Sequence, residues 1–180
     1  MTTYIALLRA VNLAGLNKVG MADLRALVAG LGFHDPKTLL QSGNVVFSGR
    51  SRSSAALEDA LKKEAVTRLG VSTEFFVRTA DEWTEVVAGN PFKKEAKKDP
   101  GYLLLAALKD APDKKAVAAL TDAIRGRESF DVNGRHAYLV YPDGVGRSKL
   151  TMAVIEKKLG TRGTARNWNT VLKLAAAAQA

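Results

Sequence analysis

Ser54 to Val77 reads SAALEDALKKEAVTRLGVSTEFFV, and Ser148 to Ala165 reads SKLTMAVIEKKLGTRGTA. Each opens on a serine, carries apolar side chains at helical spacing, reaches Leu-Gly and passes into a strand-like run. In the first, Leu57, Leu61, Ala65 and Leu69 share one helical face; in the second, Leu150, Val154, Ile155 and Leu159 do. Gly70 and Gly160 stand where a helix stops, since a left-handed terminal residue is least strained without a Cβ. One supersecondary pattern met twice in a chain signals internal duplication.

The surroundings repeat as well. Upstream of the first stretch, Tyr4 to Val11 (YIALLRAV) is nearly all apolar, as expected of a strand buried on both faces. A loop from Asn12 to Gly20 and a helix from Met21 to Leu31 follow, the helix placing Met21, Leu24, Leu27, Val28 and Leu31 inward before Gly32. Lys37–Leu40 and Asn44–Phe47 flank Gln41-Ser42-Gly43 as a hairpin, and Val71 to Val77 closes the half as a strand. Thr79-Ala-Asp-Glu82 is a capping box that starts a connecting helix, ended by Gly89-Asn90-Pro91. The polar segment Lys93 to Pro100 reads as the linker.

Beyond it the order returns: strand Tyr102–Leu108, helix Asp113–Ile124, strand Ser129–Val132, turn Asn133-Gly134 of type I′, strand His136–Tyr141, helix Ser148–Leu159 with Ser148 as its cap, and a short strand at 162–165. A further helix runs from Trp168 to about Ala178, with Trp168, Val171, Leu172 and Ala175 on one stripe. The expected fold is α+β: two tandem ferredoxin-like (βαββαβ) halves, residues 1–92 and 93–180, with a connecting helix and an extra C-terminal helix.

Composition narrows the function classes. With no cysteine, the 180-residue chain forms no disulfide and performs no thiolate chemistry. Two isolated histidines, His34 and His136, do not suggest a metal site, and no motif calls for a cofactor. No apolar run reaches the roughly 18 residues of a membrane helix. The start, Met1-Thr2-Thr3-Tyr4, lacks a signal-peptide pattern, so a cytoplasmic protein without a membrane partner is expected. The net charge of +9 favours anionic partners, a small molecule or nucleic acid, and the basic excess gathers in residues 140–180, where Asp143 and Glu156 are the only acids.

Three segments join glycine or amide side chains to cations at expected helix starts, where free N–H groups favour anions. The first loop offers Asn12 and Lys18, with Arg9 near the end of the strand before it and Ser42 and Asn44 on the following hairpin. Gly144-Val-Gly146-Arg147-Ser148-Lys149 offers Ser148 and Lys149. Arg166-Asn167-Trp168-Asn169 supplies a guanidinium, two amides and an indole face, suited to an anion with a stackable ring. Each has a structural alternative: a long connection, a serine cap, or a capping Asn167 beside a core Trp168 and a paired Arg166.

Several strings together resemble the bacterial domain-of-unknown-function family 1697: Leu8-Arg9-Ala10-Val11-Asn12, Gln41-Ser42-Gly43-Asn44-Val45-Val46-Phe47, Asn90-Pro91-Phe92, Gly146-Arg147-Ser148-Lys149-Leu150 and Thr164-Ala165-Arg166-Asn167-Trp168-Asn169-Thr170-Val171. The resemblance spans nearly the whole chain and implies a two-part α/β fold; it implies no activity. The expected function is binding of a phosphate-bearing or nucleic-acid ligand through a basic surface or a cleft between halves. Two alternatives stand beside it: an enzyme acting on a small anionic metabolite, with Arg9, Asn12, Lys149, Arg166 and Asn169 around a cleft, and a protein-interaction scaffold. No nucleophile, general base or oligomeric state can be named from the residues.

Overall fold

The structure is a computed structural model and describes all residues from Met1 to Ala180. Two compact units are present, Met1–Glu85 with Lys173–Ala180, and Val86–Leu172. The first contains β1 (Thr2–Leu8), α1 (Met21–Gly30), β2 (His34–Thr38), β3 (Asn44–Gly49), α2 (Ser54–Leu69) and β4 (Phe75–Thr79). Its sheet runs β2-β3-β1-β4 and all pairs are antiparallel. β1 sits inside the sheet, with Tyr4 opposite Phe47 on one side and Thr79 on the other. Tyr4, Ala6 and Leu8 share a core with Leu24, Leu27 and Val28 of α1 and Leu57, Leu61 and Ala65 of α2. Ile5 and Leu7, pointing the other way, are buried too. That double burial is why the strand shows no polar alternation, and each such side chain contributes about 1.5–3 kcal/mol.

α3 (Ala80–Ala88) leaves β4 through the expected capping box: Glu82 N–H donates to Thr79 Oγ1 at 3.1 Å, and Thr79 N–H to Glu82 Oε2 at 2.7 Å. The second unit then holds α4 (Lys93–Lys98), β5 (Leu103–Leu108), α5 (Lys114–Ala123), β6 (Ser129–Asn133), β7 (His136–Val140), α6 (Met152–Leu159) and β8 (Gly163–Asn167), with α7 (Trp168–Gln179) beginning in it. The sheet order, β6-β7-β5-β8, repeats that of the first unit strand for strand. Leu120 of α5 and Ile155 and Leu159 of α6 pack on Ala106, Leu108, Ala137 and Leu139. The chain is thus a mixed α/β protein with two four-stranded antiparallel sheets and seven α-helices, none long and apolar enough to cross a membrane.

Several expectations need correction. Lys93–Pro100 is no open linker: KKEAKK forms α4, and Pro100–Tyr102 adds a 3₁₀ turn. Lys, Glu and Ala are good helix formers, and Glu95 in the first turn with Lys97 and Lys98 in the last complements the helix dipole. None of its residues is buried, so no apolar stripe advertised it. β2 lies earlier than expected, on an edge where Pro36 needs no partner for a missing N–H and the pairing slips between His34 and Lys37. The hairpin after β6 turns on Gly134-Arg135, with positive φ at Gly134 alone; this suits a II′ turn and not the type I′ expected at Asn133-Gly134.

Ser148 does not cap α6. Val145–Arg147 forms a 3₁₀ turn that ends at Ser148, and the helix begins only after Thr151, whose Oγ1 accepts from Val154 N–H at 3.3 Å. Thr151→Ala is therefore expected to lower stability by about 1 kcal/mol in urea unfolding. An unchanged midpoint would show that the hydroxyl does not hold the helix start.

Candidate functional site

The structure places Arg9, Asn12, Lys18, Ser42 and Asn44 in the first unit, around the end of β1. The loop leaving β1 takes left-handed backbone angles at Ala10, Asn12, Ala14, Gly15 and Asn17. The Asn12 side chain holds this shape: Oδ1 accepts from Val19 N–H at 2.8 Å, and Nδ2 donates to Val19 O at 3.0 Å and Gln41 O at 2.7 Å. Both amide donors are thereby used, stapling the loop to the β2–β3 turn. Asn44 is fully buried, with Nδ2 donating to Leu39 O at 2.7 Å and Ser42 Oγ at 3.0 Å. Gly20 begins α1 without a side-chain cap, and the Asp23 carboxylate folds against it so closely that a Cβ on Gly20 would lie 2.8 Å from Oδ2. A carboxylate thus already sits at the positive end of the helix. Lys18 is exposed beside these elements.

At the β8–α7 junction the polar residues are largely structural. Arg166 is 8% exposed; its Nη1 donates to Thr164 Oγ1 and Ala165 O, both at 2.9 Å, and burial pushes its pKa down to about 10, which leaves it charged at neutral pH. Asn167 Oδ1 accepts from Thr170 N–H at 3.1 Å and so caps α7. Trp168 is buried, its ring centroid 6.3 Å from that of Tyr138. Its ring is spent on packing, leaving Asn169 exposed.

Ser148 and Lys149 lie elsewhere in the second unit, in a cleft of about 250 Å³ whose rim carries Arg125, Arg147 and Lys149. All three cations are exposed. The cleft also contains two carboxylates, each with a partner. Ser148 Oγ donates to Glu128 Oε1 at 2.6 Å while accepting from Leu150 N–H at 3.0 Å. This hydrogen bond, first among several influences, holds the Glu128 pKa below the ordinary carboxylate range. Asp143 takes both arms of Arg127, Nε at 3.1 Å from Oδ2 and Nη2 on Oδ1, and is likewise held acidic, chiefly by that guanidinium. The single hydroxyl proton of Ser148 is committed to Glu128. Cation–anion chemistry here therefore falls to Arg125, Arg147 and Lys149.

The sequence candidates thus fall into three groups, one in the first unit and two in the second. Arg125 and Glu128 escaped the sequence reading because they follow α5, about 20 residues from the Gly144–Lys149 loop, and only the return of β6 and β7 brings the two segments together. No motif spacing reports such a juxtaposition.

The sequence matches the model of a family described as "Protein of unknown function (DUF1697)" over residues 1–138. No curated protein matches it. Among solved structures, it is similar to "The structure of conserved bacterial protein SP0830 from Streptococcus pneumoniae", with a TM-score of 0.75 and 22% identity over 98% of both chains.

Proposed function

The chain belongs to the family of proteins of unknown function DUF1697, and we propose that this member binds a phosphate-bearing anion at the Arg125–Arg147–Lys149 cleft of its second unit. The observation that carries this reading is the convergence of three exposed cations where both neighbouring carboxylates already have their own donors. An incoming anion then meets Arg125 and Lys149, and Arg147 as well, although part of the Arg147 charge already acts on Asp143. The surplus positive charge of the whole chain adds long-range attraction. We further read each half as a ferredoxin-like unit, a reading supported by the order of elements and by strands β1 and β5 lying inside their sheets.

Isothermal titration with pyrophosphate at low and moderate salt tests the site. The parent is expected to bind, and the Arg147→Ala, Lys149→Ala double variant to lose about tenfold or more in affinity, as removal of charge-assisted contacts requires. A double variant that bound pyrophosphate and short oligonucleotides as tightly as the parent would overturn the reading.

A further inference from the structure

Next to the cationic cleft lies a second hollow of about 430 Å³, between α4 and the β6–β7 strands, where Lys94, Lys98 and Arg127 stand with the carboxylates Glu95 and Asp99 around Tyr102. Its size falls within the range of small-molecule pockets. Arg127 borders this hollow while its ion-pair partner Asp143 borders the cleft, so the Arg127–Asp143 pair forms a wall common to both.

Tyr102 is the one aromatic residue among the exposed large hydrophobics, at 46% exposure. Its backbone is held on both sides, by Tyr102 N–H donating to Asp99 O and Tyr141 N–H donating to Tyr102 O, each at 2.9 Å. The ring also lies beside the loop that carries Arg147 and Lys149: a Cβ on Gly144, where φ is +85°, would stand 3.9 Å from Tyr102 Cε1. A half-exposed ring at a fixed backbone position, in a hollow whose two lysines are matched by two carboxylates, lies one ion pair away from the cationic cleft and so sets a stacking surface beside phosphate-binding charge.

We infer that the anion bound by this protein is a nucleoside phosphate, its base stacked on Tyr102 in the α4 hollow and its phosphates reaching past the Arg127–Asp143 pair to Arg147 and Lys149. The inference rests on the anion-binding reading above and adds the class of ligand. Stacking on one aromatic ring accounts for about tenfold or more in affinity and tolerates different bases.

Titration of the whole protein with adenosine diphosphate, uridine diphosphate, ribose 5-phosphate and pyrophosphate separates the two ideas. Both nucleotides are expected to bind about tenfold or more tightly than pyrophosphate or the sugar phosphate. Tyr102→Ala should abolish that preference while leaving pyrophosphate binding intact, and Tyr102→Phe should retain it. Equal affinity for pyrophosphate and nucleotides, or a preference for ribose 5-phosphate, would overturn the stacking site and leave the anion cleft standing. A nucleotide preference that survived Tyr102→Ala would place the base elsewhere and also overturn it. No binding of any of the four would overturn both.

Discussion

Glu58→Ala is expected to lower the unfolding free energy by about 3–5 kcal/mol, the range seen when one member of a buried ion pair is removed. Glu58 lies on α2, 4% exposed, and its Oε1 has two tasks. It accepts from Val77 N–H at 2.9 Å, satisfying a backbone donor on the free side of edge strand β4, and it stands 3.7 Å from Nη1 of the fully buried Arg78. Arg78 Nη1 in turn donates to Val77 O at 2.8 Å. Truncation strips a buried guanidinium of a counter-charge and orphans a strand N–H together. Glu58→Gln retains an acceptor for Val77 and removes only the charge, so its loss should be smaller, about 1–3 kcal/mol. Urea unfolding of the three proteins decides the matter: a Glu58→Ala loss within 1 kcal/mol would mean that the pair is not a determinant of stability, whereas equal losses for both variants would assign the effect to charge alone.

Arg78 has a counterpart. It faces Ile5 across β4 and β1, as Arg166 faces Leu105 across β8 and β5, and both arginines are buried. The two stretches whose likeness reveals the duplication end at Val77 and Ala165, and the next residue in each is this arginine. The repeat was legible one residue further than its helix and strand pattern extends. Yet Arg166 reads from sequence as a ligand candidate and Arg78 draws no notice, because a guanidinium carries no mark of its burial. The same holds for Trp168, whose indole is equally apt for stacking or for a core until its neighbours are placed.

What the sequence does convey follows from short-range physics. The continuous apolar run of β1, the Leu-Gly stops of α2 and α6 and the Thr79–Glu82 box are set by residues within a few positions of one another, and each appears in the fold. Asp113, read as the first residue of its helix, instead caps α5: its carboxylate accepts from Ala116 N–H at 2.7 Å. The failures occur where two local signals compete or where distant segments meet. At 148–151 a serine and a threonine both qualify as caps, and the serine is drawn away by Glu128, a residue 20 positions earlier. At α4, charge density masks helix propensity. Tyr102 reads from sequence as the first residue of a buried strand, but it ends the 3₁₀ turn ahead of β5, where its ring is exposed.

The same contrast between local and distant requirements governs Gly43. Its φ of +83° would be met by any glycine in a tight turn, and Gly32, at +84° with open space where a Cβ would go, is such a case. Gly43 carries a second constraint: a Cβ there would lie 2.7 Å from Val11 Cγ2 and 2.9 Å from Leu8 Cβ, inside the packed end of β1. The turn cannot withdraw to relieve the contact, because Gly43 O accepts from Leu8 N–H at 2.9 Å and Gln41 O from the Asn12 amide at 2.7 Å. Gly43→Ala is therefore expected to lose about 2–5 kcal/mol, combining left-handed strain with overpacking, and Gly32→Ala only about 1–2 kcal/mol from the strain. Parallel chemical unfolding of the two variants isolates the steric part as their difference. If Gly32→Ala were as damaging as Gly43→Ala, backbone conformation alone would explain both glycines, and the close seating of the β2–β3 turn on Leu8 and Val11 would contribute nothing measurable. A larger loss at Gly43 would instead identify that seating, with the Asn12 staple beside it, as what fixes the shape of the first loop.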